Sequence, residues 1–391
     1  MNRVNIQQYY DWWFDSAIEF LGYLLETVAG VSVEWGDGIS FEELNDDHIR
    51  MLAEEIERLI DHKLKYQNPK TGEIKWRHYL PLTASNSRGT YKNKYLSGFL
   101  GSNPQDKEKI LASALRKNVN SKNNNYCDIC SANVSALTEL TQGVYPSSNN
   151  QINSLNGIRF LKQGKICIKC QVLGYLNWLD KIPFVWKEDI KSKNNKVDSH
   201  MLIYPKIEDL TTLHLYKDLI RGSLTEKRNS NIIVVHSDNK ETKVATNHFS
   251  LLLAVFENIL RQNRTIERIE GLFCKDWVAL SIHKSQIRTT YCEEITIPNI
   301  KSLEYIFSTI KQLYSGFVDK TFAAEVKDGV SKEVKKSLAE ENKYFISKGL
   351  LLDDFYTFSR AFQIRQNCGI AFPKDSKEIF DKLINLWRCE T

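Results

Sequence analysis

Apolar residues near the start of the chain recur with the spacing of two helices. Residues 5–29 carry apolar side chains at repeated steps of three and four, which is typical of a helix with a broad buried face. Gly30 follows where a helix usually stops. A second amphipathic helix is predicted over 40–65, with Ser40 as its N-cap residue and Glu43 three positions later, as in a capping box. A lipid or partner surface is the alternative for the Trp-rich first helix, but burial in a core accounts better for its pattern.

The middle of the chain mixes extended runs with helices. Residues 68–72 predict a turn, 73–82 an extended run, and 105–117 a helix that follows an Asn-Pro pair. The apolar run 172–179 is expected to begin another helix. Further extended runs rich in Ile, Val and Tyr lie at 200–204, 231–236, 277–282 and 289–297, with helices predicted between them at about 208–221 and 247–262. The pattern therefore predicts mixed α and β structure.

Residues 300–391 change character, because their apolar side chains keep only helical spacing. A small helical bundle is predicted there. The fold class is therefore predicted as α+β, without an internal repeat of fixed period. Four regions are expected: an N-terminal α+β region (1–120), a cysteine-bearing insertion (121–180), a mixed α/β central region (181–299) and the C-terminal helical bundle (300–391).

The composition is that of an ordinary folded protein. Of its 391 residues, 42% are hydrophobic and 26% are charged, which excludes disorder over the whole chain and collagen-like structure. No apolar run approaches the roughly 20 residues that a membrane-spanning helix needs. Asp11, Asp15 and Glu19 interrupt the apolar opening, which is unlike a secretory signal. We therefore expect a soluble, cytoplasmic protein with no membrane partner.

The net charge of +5 is modest, but the charges are unevenly distributed. Residues 1–60 carry 13 acids and three bases, a local charge of −10. Residues 85–126 carry eight bases and two acids, a local charge of +6 that exceeds the surplus of the whole chain. The basic segment predicts a polyanion site. The acidic region predicts a surface for a protein neighbour, since phosphates are repelled there.

Two close pairs of cysteines give the strongest chemical signal in the sequence. They are Cys127-x2-Cys130 and Cys167-x2-Cys170, with 36 residues between them. A two-residue spacer aims both thiolates of a pair at one ion, and two such pairs complete a tetrahedral sulfur site. The spacing therefore predicts a metal centre, and the alternative is two unrelated cysteine pairs. The other four cysteines are expected to be packed in the core.

The expected ion is Zn²⁺, because four thiolates favour zinc or iron and nothing nearby indicates redox chemistry. Four protein ligands leave no position for water, so the site is predicted to be structural and not catalytic. Lys165 and Lys169 would offset part of the negative charge of a zinc tetrathiolate. We expect the metal to order an Asn- and Ser-rich loop that has little apolar core of its own.

A second candidate site lies in the basic segment, where cations alternate with tyrosines and amides. Cations suit phosphates, amides read base edges, and tyrosines stack on bases or wedge between them. The predicted nucleic-acid-binding residues are Asn86, Arg88, Tyr91, Lys92, Asn93, Lys94, Lys117 and Lys122. A solvated surface loop with its tyrosines packed inward is an equally weighted alternative.

The common catalytic motifs are absent from the sequence: it has no Gly-x-x-x-x-Gly-Lys loop, no Gly-x-Ser-x-Gly elbow and no His-Glu-x-x-His. Residues 46–48 (Asp-Asp-His) have the composition of a metal-nuclease cluster, but solvated charge on an acidic helix explains them better. Asp353 and Asp354 have the same explanation near a helix start. His236 and Asp238 end a predicted strand and are weaker candidates. We therefore predict a protein that is not an enzyme.

The opening residues 12–21 (WWFDSAIEFL) resemble the start of the large subunit of type I-B CRISPR Cascade complexes, which has a Trp-x-x-x-(Asn/Ser)-Ala-Gly-x-x-Gly-Phe-Leu-like motif. The order of features is also similar: an apolar N-terminal helix, a basic Asn/Tyr segment, two Cys-x2-Cys pairs and a closing helical bundle. The resemblance covers the layout of most of the chain, and the cysteine pairs are its sharpest motif.

The resemblance implies a non-catalytic subunit of an RNA-guided DNA surveillance complex. Members of the family recognise the motif that flanks the target, help to open the duplex and dock the helicase-nuclease that degrades the DNA, while guide pairing reads the sequence. The implied partners are CRISPR RNA, target double-stranded DNA, the backbone and crRNA-end-binding subunits, and the helicase-nuclease. Two other functions stay open: a zinc-containing nuclease or nucleic-acid-processing enzyme that uses Asp353 or His236, and a zinc-stabilised adaptor that does not bind nucleic acid.

Overall fold

The structure is a computed structural model, and its fold is of the α+β class, as the sequence predicts. It describes residues 3–67, 74–76, 98–116, 125–141, 143–146, 164–180, 199–221, 234–237, 240–243, 247–262, 273–283, 288–326, 329–365, 367–372 and 374–388. The described helices are α1 (Trp12–Thr27), α2 (Asp46–Leu64), α3 (Gly98–Gly101), α4 (Pro104–Leu115), α5 (Ile168–Leu176), α6 (Leu210–Arg221), α7 (His248–Gln262), α8 (Ile300–Thr309), α9 (Lys332–Leu351), α10 (Phe355–Arg360) and α11 (Lys374–Arg388), with a π-helical turn at Tyr314–Val318. The described strands are β1 (Arg3–Gln7), β2 (Val33–Gly36), β3 (Gly38–Glu42), β4 (Lys65–Gln67), β5 (Ile74–Trp76), β6 (Thr138–Glu139), β7 (Lys165–Ile166), β8 (Ser199–Pro205), β9 (Val234–Ser237), β10 (Lys240–Lys243), β11 (Asp276–His283), β12 (Arg288–Thr296), β13 (Phe322–Glu325) and β14 (Cys368–Ala371).

The N-terminal sheet explains why the first helix begins later than the apolar spacing predicts. Its strand order is β1-β3-β2, and both pairings are antiparallel. Val4 and Ile6 are buried and their neighbours are exposed, so these residues follow the two-residue period of a strand. The prediction of a helix from residue 5 was therefore wrong. Helix α1 begins at Trp12, after Asp11, whose carboxylate accepts two backbone N–H groups of the first turn.

The second predicted helix also begins later than expected. Ser40 lies in β3 opposite Glu34, so its assignment as an N-cap residue was wrong. Helix α2 follows Asn45, whose side-chain oxygen accepts a hydrogen bond from His48 N at 2.8 Å. The sequence pattern around Ser40 is compatible with either element, and pairing with β1 and β2 decides in favour of a strand.

Helix α4 packs against α2 and neutralises part of its acidic surface. Asn103 caps this helix, so the helix predicted at 105–117 is present. Lys107 is buried and forms an ion pair with Glu57, and Arg116 pairs with Asp46 at 2.5 Å. Two bases of the basic segment therefore meet acids of the acidic region inside the same chain.

The central sheet has the strand order β12-β11-β8, and its pairings are antiparallel. Helix α7 packs against β8 within this region, and α6 packs against α1. The extended runs predicted at 200–204, 231–236, 277–282 and 289–297 coincide with β8, β9, β11 and β12 where the structure describes them. The helices predicted at 208–221 and 247–262 are α6 and α7.

The C-terminal region combines helices with a small sheet. Aromatic rings in mutual contact fill its core: Phe317, Phe358, Phe362, Phe372, Phe380 and Trp387. The prediction of helices alone was incomplete, because β13 and β14 form an antiparallel pair in which Phe322 faces Ala371. Each strand has four residues, which is too short to leave a recognisable period in the sequence.

Apolar packing forms two large clusters in the described residues. The first joins α1, α2, α4, α5 and the residues around the paired cysteines, and it extends to Leu210 and Leu213 of α6. The second joins the central sheet, α7 and the C-terminal helices. Packing thus continues across positions 120, 180 and 299, and the cysteine-bearing segment is built onto the N-terminal core.

Candidate metal centre

The first cysteine pair lies on a tight backbone turn. Cys127 N donates to Ala132 O at 3.0 Å, and Ser131 N donates to Cys127 O at 2.9 Å. Ser131 has a φ of 56°, in the left-handed region that lets the chain reverse within this short loop. The turn brings the side chains of Cys127 and Cys130 to the same side, as the two-residue spacing predicts.

The second pair lies at the start of α5. Cys167 is the N-cap residue of this helix, and its Sγ accepts a hydrogen bond from Cys170 N at 3.5 Å. The helix therefore begins at Ile168, four residues before the predicted start at 172. A sulfur atom at the N-terminus of a helix is well placed to carry negative charge.

Two short strands and one carboxylate align the two turns. β6 pairs with β7, and Thr138 lies opposite Ile166. Asp128 N donates to Lys165 O at 2.9 Å, and Lys165 N donates to Asp128 Oδ2 at 2.6 Å. Cys167 N donates to Cys127 Sγ at 3.3 Å, so the second pair also contacts the first directly.

The four sulfur atoms lie within 4.8 Å of one another. Cys127 Sγ is 3.7 Å from Cys170 Sγ, and Cys130 Sγ is 3.6 Å from Cys167 Sγ. Cys127, Cys167 and Cys170 are buried and Cys130 is partly exposed. The structure thus brings together all four predicted ligands, which are the only such cluster of His, Cys, Asp or Glu side chains within the described residues.

The crowding of the thiols has an electrostatic consequence. A hydrogen bond from Cys130 lowers the pKa of Cys127 well below the ordinary thiol value. The hydrogen bonds that Cys167 and Cys170 make to Cys127 raise the pKa of both thiols, because a second thiolate would stand beside the first. Four adjacent thiolates would repel one another, and a divalent cation bound among them would offset that repulsion.

The donor set fits a metal ion. Four sulfurs supplied by two turns match a closed tetrahedral centre, which leaves no ligand position for water. The geometry allows Cys127, Cys130, Cys167 and Cys170 to hold one ion that joins two backbone turns. A group of this kind contributes order to the segment and supplies no reacting water.

Helix α1 and the residues just before it pack against the segment that carries the four cysteines. Trp13 Nε1 donates to Val144 O at 2.6 Å, and Asn177 Nδ2 donates to Trp13 O at 3.0 Å. The hydroxyl group of Tyr9 lies 3.7 Å from Cys170 Sγ. Gly174 lets α5 approach the 143–146 turn closely, since a Cβ atom there would lie 2.2 Å from Val144 O. The predicted core role of the Trp-rich helix is confirmed by the complete burial of Trp13.

A buried ion network, made of Glu19, Asp180, Lys217 and Arg221, lies beyond the other end of α5. Lys217 Nζ is 2.7 Å from Glu19 Oε2 and 2.6 Å from Asp180 Oδ2. Arg221 Nη2 is 2.5 Å from Glu19 Oε2 and 3.5 Å from Asp180 Oδ2. Each of the four side chains is more than nine-tenths buried. The network ties α1, the residues after α5, and α6 together.

Sequence reasoning missed this network. Glu19 was noticed only as an acid within an apolar helix, which is the one signal that a buried carboxylate leaves in a sequence. Burial alone would raise the pKa of Glu19, but the Lys217 ammonium, with His214 and Arg221, lowers it to about 2. Its three partners all lie on α6 and come next to the middle of α1 only after folding.

The eight predicted nucleic-acid-binding residues lie outside the described residues: Asn86, Arg88, Tyr91, Lys92, Asn93, Lys94, Lys117 and Lys122. Three other bases of the segment are described, and each pairs with an acid. Lys107 pairs with Glu57, Lys109 with Asp106, and Arg116 with Asp46. Asp106 is already counted within the segment, but Glu57 and Asp46 lie outside it, so the basic surplus left for an outside partner is smaller than the sequence suggests.

The candidate nuclease acids have structural partners. Asp46 pairs with Arg116, and Asp47 pairs with Arg50 at 2.6 Å. Asp353 accepts hydrogen bonds from Trp387 Nε1 at 3.1 Å and Asn299 Nδ2 at 3.0 Å. Asp354 is the N-cap residue of α10. His236 lies in β9, and Asp238 is outside the described residues.

No protein-family model matches this chain, and a search of curated proteins finds no significant match. None of the helices in the described ranges combines the length and apolar character that a membrane-spanning helix requires.

Proposed function

We propose that this chain is the non-catalytic large subunit of an RNA-guided CRISPR surveillance complex of type I-B. It would bind target DNA at the motif that flanks the target and recruit the helicase-nuclease. The observation that carries the proposal is the assembly of four cysteine sulfurs, from pairs 36 residues apart, into one cluster. These pairs are the sharpest motif of the resemblance to that family.

The ion that we propose for the cluster is Zn²⁺. Four thiolates favour zinc or iron, and zinc is the usual ion of a closed structural centre with four cysteine ligands. The site has no open ligand position, so its role would be to order the segment between the pairs. A non-catalytic role is also supported by the structural partners of Asp46, Asp47 and Asp353.

For the DNA contact we propose Arg88, Lys92 and Lys94, with Asn86 and Asn93 beside them. Lys107, Lys109 and Arg116 already form ion pairs with acids of the chain. The cations of the basic segment that remain as candidates for DNA contact are therefore Arg88, Lys92, Lys94, Lys117 and Lys122. Cations bind the phosphates of the flanking duplex, and amides are suited to base edges.

The first experiment is to purify the chain together with its natural neighbours and to sequence any bound RNA. The proposal predicts small RNAs of uniform length, each with one variable guide between constant ends, together with several other proteins. Recovery of the chain with protein partners but without RNA would contradict it.

The second experiment replaces Arg88, Lys92 and Lys94 together by Ala in the assembled complex. If each cation contacts one phosphate, the slope of log affinity against log salt falls by about three units. The matched control replaces Lys301, Lys311 and Lys320, which are exposed on the C-terminal region, and should leave the slope unchanged. An unchanged slope in the first variant would overturn the assignment.

A zinc-stabilised adaptor is the second candidate. The observation that favours it is the pairing of Lys107 and Arg116 with Glu57 and Asp46, which lie outside the basic segment and reduce its free positive charge. An adaptor would purify with proteins alone, and its partners would bind equally well after nuclease treatment.

A further inference from the structure

A cavity of about 250 Å³ lies where the loop before α1 meets the loop after β8. Its lining includes Tyr10, Trp12, Asp15, Ile207 and Glu208. One water molecule takes up about 30 Å³ of the liquid, so the cavity can accept a flat polar group together with part of an alkyl chain.

Two aromatic side chains form walls of this cavity. Trp12 is partly exposed and packs against Tyr204, with ring centroids 4.9 Å apart. Tyr10 has a φ of 55°, in the left-handed region that residues other than glycine rarely adopt. The residue is 78% exposed. A strained backbone therefore holds an aromatic ring in water at the edge of the cavity, which folding alone does not favour.

A buried carboxylate without a cation lies beside these rings. Asp15 is 4% exposed and lines the cavity. It accepts hydrogen bonds from Tyr9 N at 2.8 Å and from Gln8 Nε2 at 3.2 Å, but no base among the described residues forms an ion pair with it. Burial raises the pKa of Asp15 to about 6, and the carboxylate of Asp11 adds to the rise. A cation in the cavity would remove this penalty.

The remaining charges of the lining leave an excess of negative charge. Glu208 supplies a second carboxylate at the exposed side. Lys206 also lines the cavity, but its Nζ lies 2.8 Å from Glu294 Oε2, so its charge is already neutralised. Aromatic faces combined with carboxylates are the arrangement that binds organic cations in proteins.

We propose that this cavity binds the guanidinium group of an arginine side chain from a protein partner. A guanidinium group is flat, stacks on aromatic rings and donates two parallel hydrogen bonds to a carboxylate. The partner is a protein because the cavity borders the acidic N-terminal region, which repels phosphates. The inference goes beyond the proposed function and holds equally for a surveillance-complex subunit and for an adaptor.

A neighbouring groove fits the residues that would flank the arginine. This groove of about 740 Å³ shares residues 206–208 with the cavity. Its lining includes Leu215 and Leu219, which are one turn apart on α6 and are 65% and 41% exposed. Apolar side chains next to the inserted arginine would cover this surface.

The test measures binding of N-acetyl-arginine amide to the full chain by saturation-transfer NMR and calorimetry. The uncharged analogue N-acetyl-citrulline amide is the matched ligand control. We expect the arginine compound to bind and Asp15→Asn to weaken its affinity by about tenfold, the loss expected for one charge-assisted hydrogen-bonded pair. Asn keeps an acceptor for Tyr9 N, so the fold should persist, as the thermal midpoint will show. Tyr10→Asn, which tolerates the same backbone angle, should weaken binding less.

The control variant is Glu54→Gln, which removes an exposed carboxylate of α2 away from the cavity lining and should leave binding unchanged. Equal binding of the citrulline compound would overturn the proposal, and so would full affinity in Asp15→Asn. Spermidine is the third ligand. If it bound as tightly as arginine and depended on Asp15 in the same way, the cavity would be a general polyamine site and not a site for a protein side chain.

Discussion

The cysteine segment (125–146 and 164–180) and the C-terminal region (300–388) become ordered in different ways. The first contains two strands of two residues and one helix of nine, and its turns meet at four sulfurs. The second contains longer helices whose aromatic rings fill a common core. The cysteine segment packs on the N-terminal apolar core and also carries the sulfur cluster. Under the proposed function, a bound ion would add to the order of this segment, whereas apolar packing alone orders the C-terminal region.

The largest expected effect comes from Cys170→Ser, which removes one of the buried sulfurs. A structural zinc site contributes on the order of 10 kcal/mol, which is comparable with the whole stability of a domain. We expect residues 164–180 to lose amide protection while α9 keeps it, as measured by hydrogen exchange with mass spectrometry. Cys368→Ser, at a buried cysteine of the C-terminal region, is the matched control and should preserve the amide protection of residues 164–180 and of α9. Unaltered protection of 164–180 in Cys170→Ser would contradict the comparison.

Phe358→Ala tests the C-terminal region, because it removes apolar packing there and leaves the four cysteines intact. Phe358 is fully buried, and its ring centroid lies 5.1 Å from that of Phe362 and 4.7 Å from that of Trp387. We expect unfolding in urea to show a loss of about 4 kcal/mol, with the metal content unchanged. Tyr356→Ala, at a neighbouring exposed ring, should cost far less. Loss of metal from Phe358→Ala would show that the two regions are not independent.

The buried ion network makes the N-terminal part sensitive to acid. The unfolded chain binds a proton at Glu19 near its ordinary pKa of 4.5, whereas the folded chain does so only near 2. The folded state therefore loses stability as the pH falls from 4.5 towards 2, by about 3 kcal/mol in total. The measurement compares the unfolding free energy of the native protein with that of Glu19→Gln between pH 4.5 and pH 2. Both proteins keep the four cysteines, so any effect of acid on the sulfur cluster is common to the two and the difference reports on Glu19. Parallel pH profiles would contradict it.

The smallest effect is expected from Asp353→Ala. This change removes the acceptor of the hydrogen bonds from Trp387 and Asn299, and Ala fits poorly at the φ of 52°. We expect a loss of about 2 kcal/mol in urea denaturation, and a smaller loss for Asp353→Asn. Both variants should leave DNA affinity unchanged. A variant of full stability that had lost a metal-dependent DNA cleavage would instead favour the nuclease alternative.

Much of the fold follows from local sequence pattern. The spacing of the cysteine pairs predicted the sulfur cluster, because one metal ion with four thiolate ligands requires the two turns to lie side by side. The central helices and strands were predicted from a different signal, since their apolar periods are long enough to be recognised in the sequence. The predicted helix starts at Ser40 and at residue 5 were wrong. These residues lie in strands β3 and β1, which are stabilised by backbone pairing within the sheet β1-β3-β2.

The charges were harder to interpret than the apolar pattern. The bases of 85–126 can be counted from the sequence, but only the folded structure shows that Lys107 pairs with Glu57 and Arg116 with Asp46. The network of Glu19 with Lys217 and Asp180 joins residues far apart in the chain, so no local pattern predicts it. Burial and ion pairing are properties of the assembled structure, and charge counts do not contain them.

The central claim is that four thiolates hold one zinc ion. The most direct test is elemental analysis of the freshly purified chain, combined with X-ray absorption at the metal edge. The account predicts one zinc per chain, surrounded by four sulfurs at about 2.3 Å. A chain without stoichiometric metal, or a metal with nitrogen or oxygen in place of any of the four sulfurs, would contradict it.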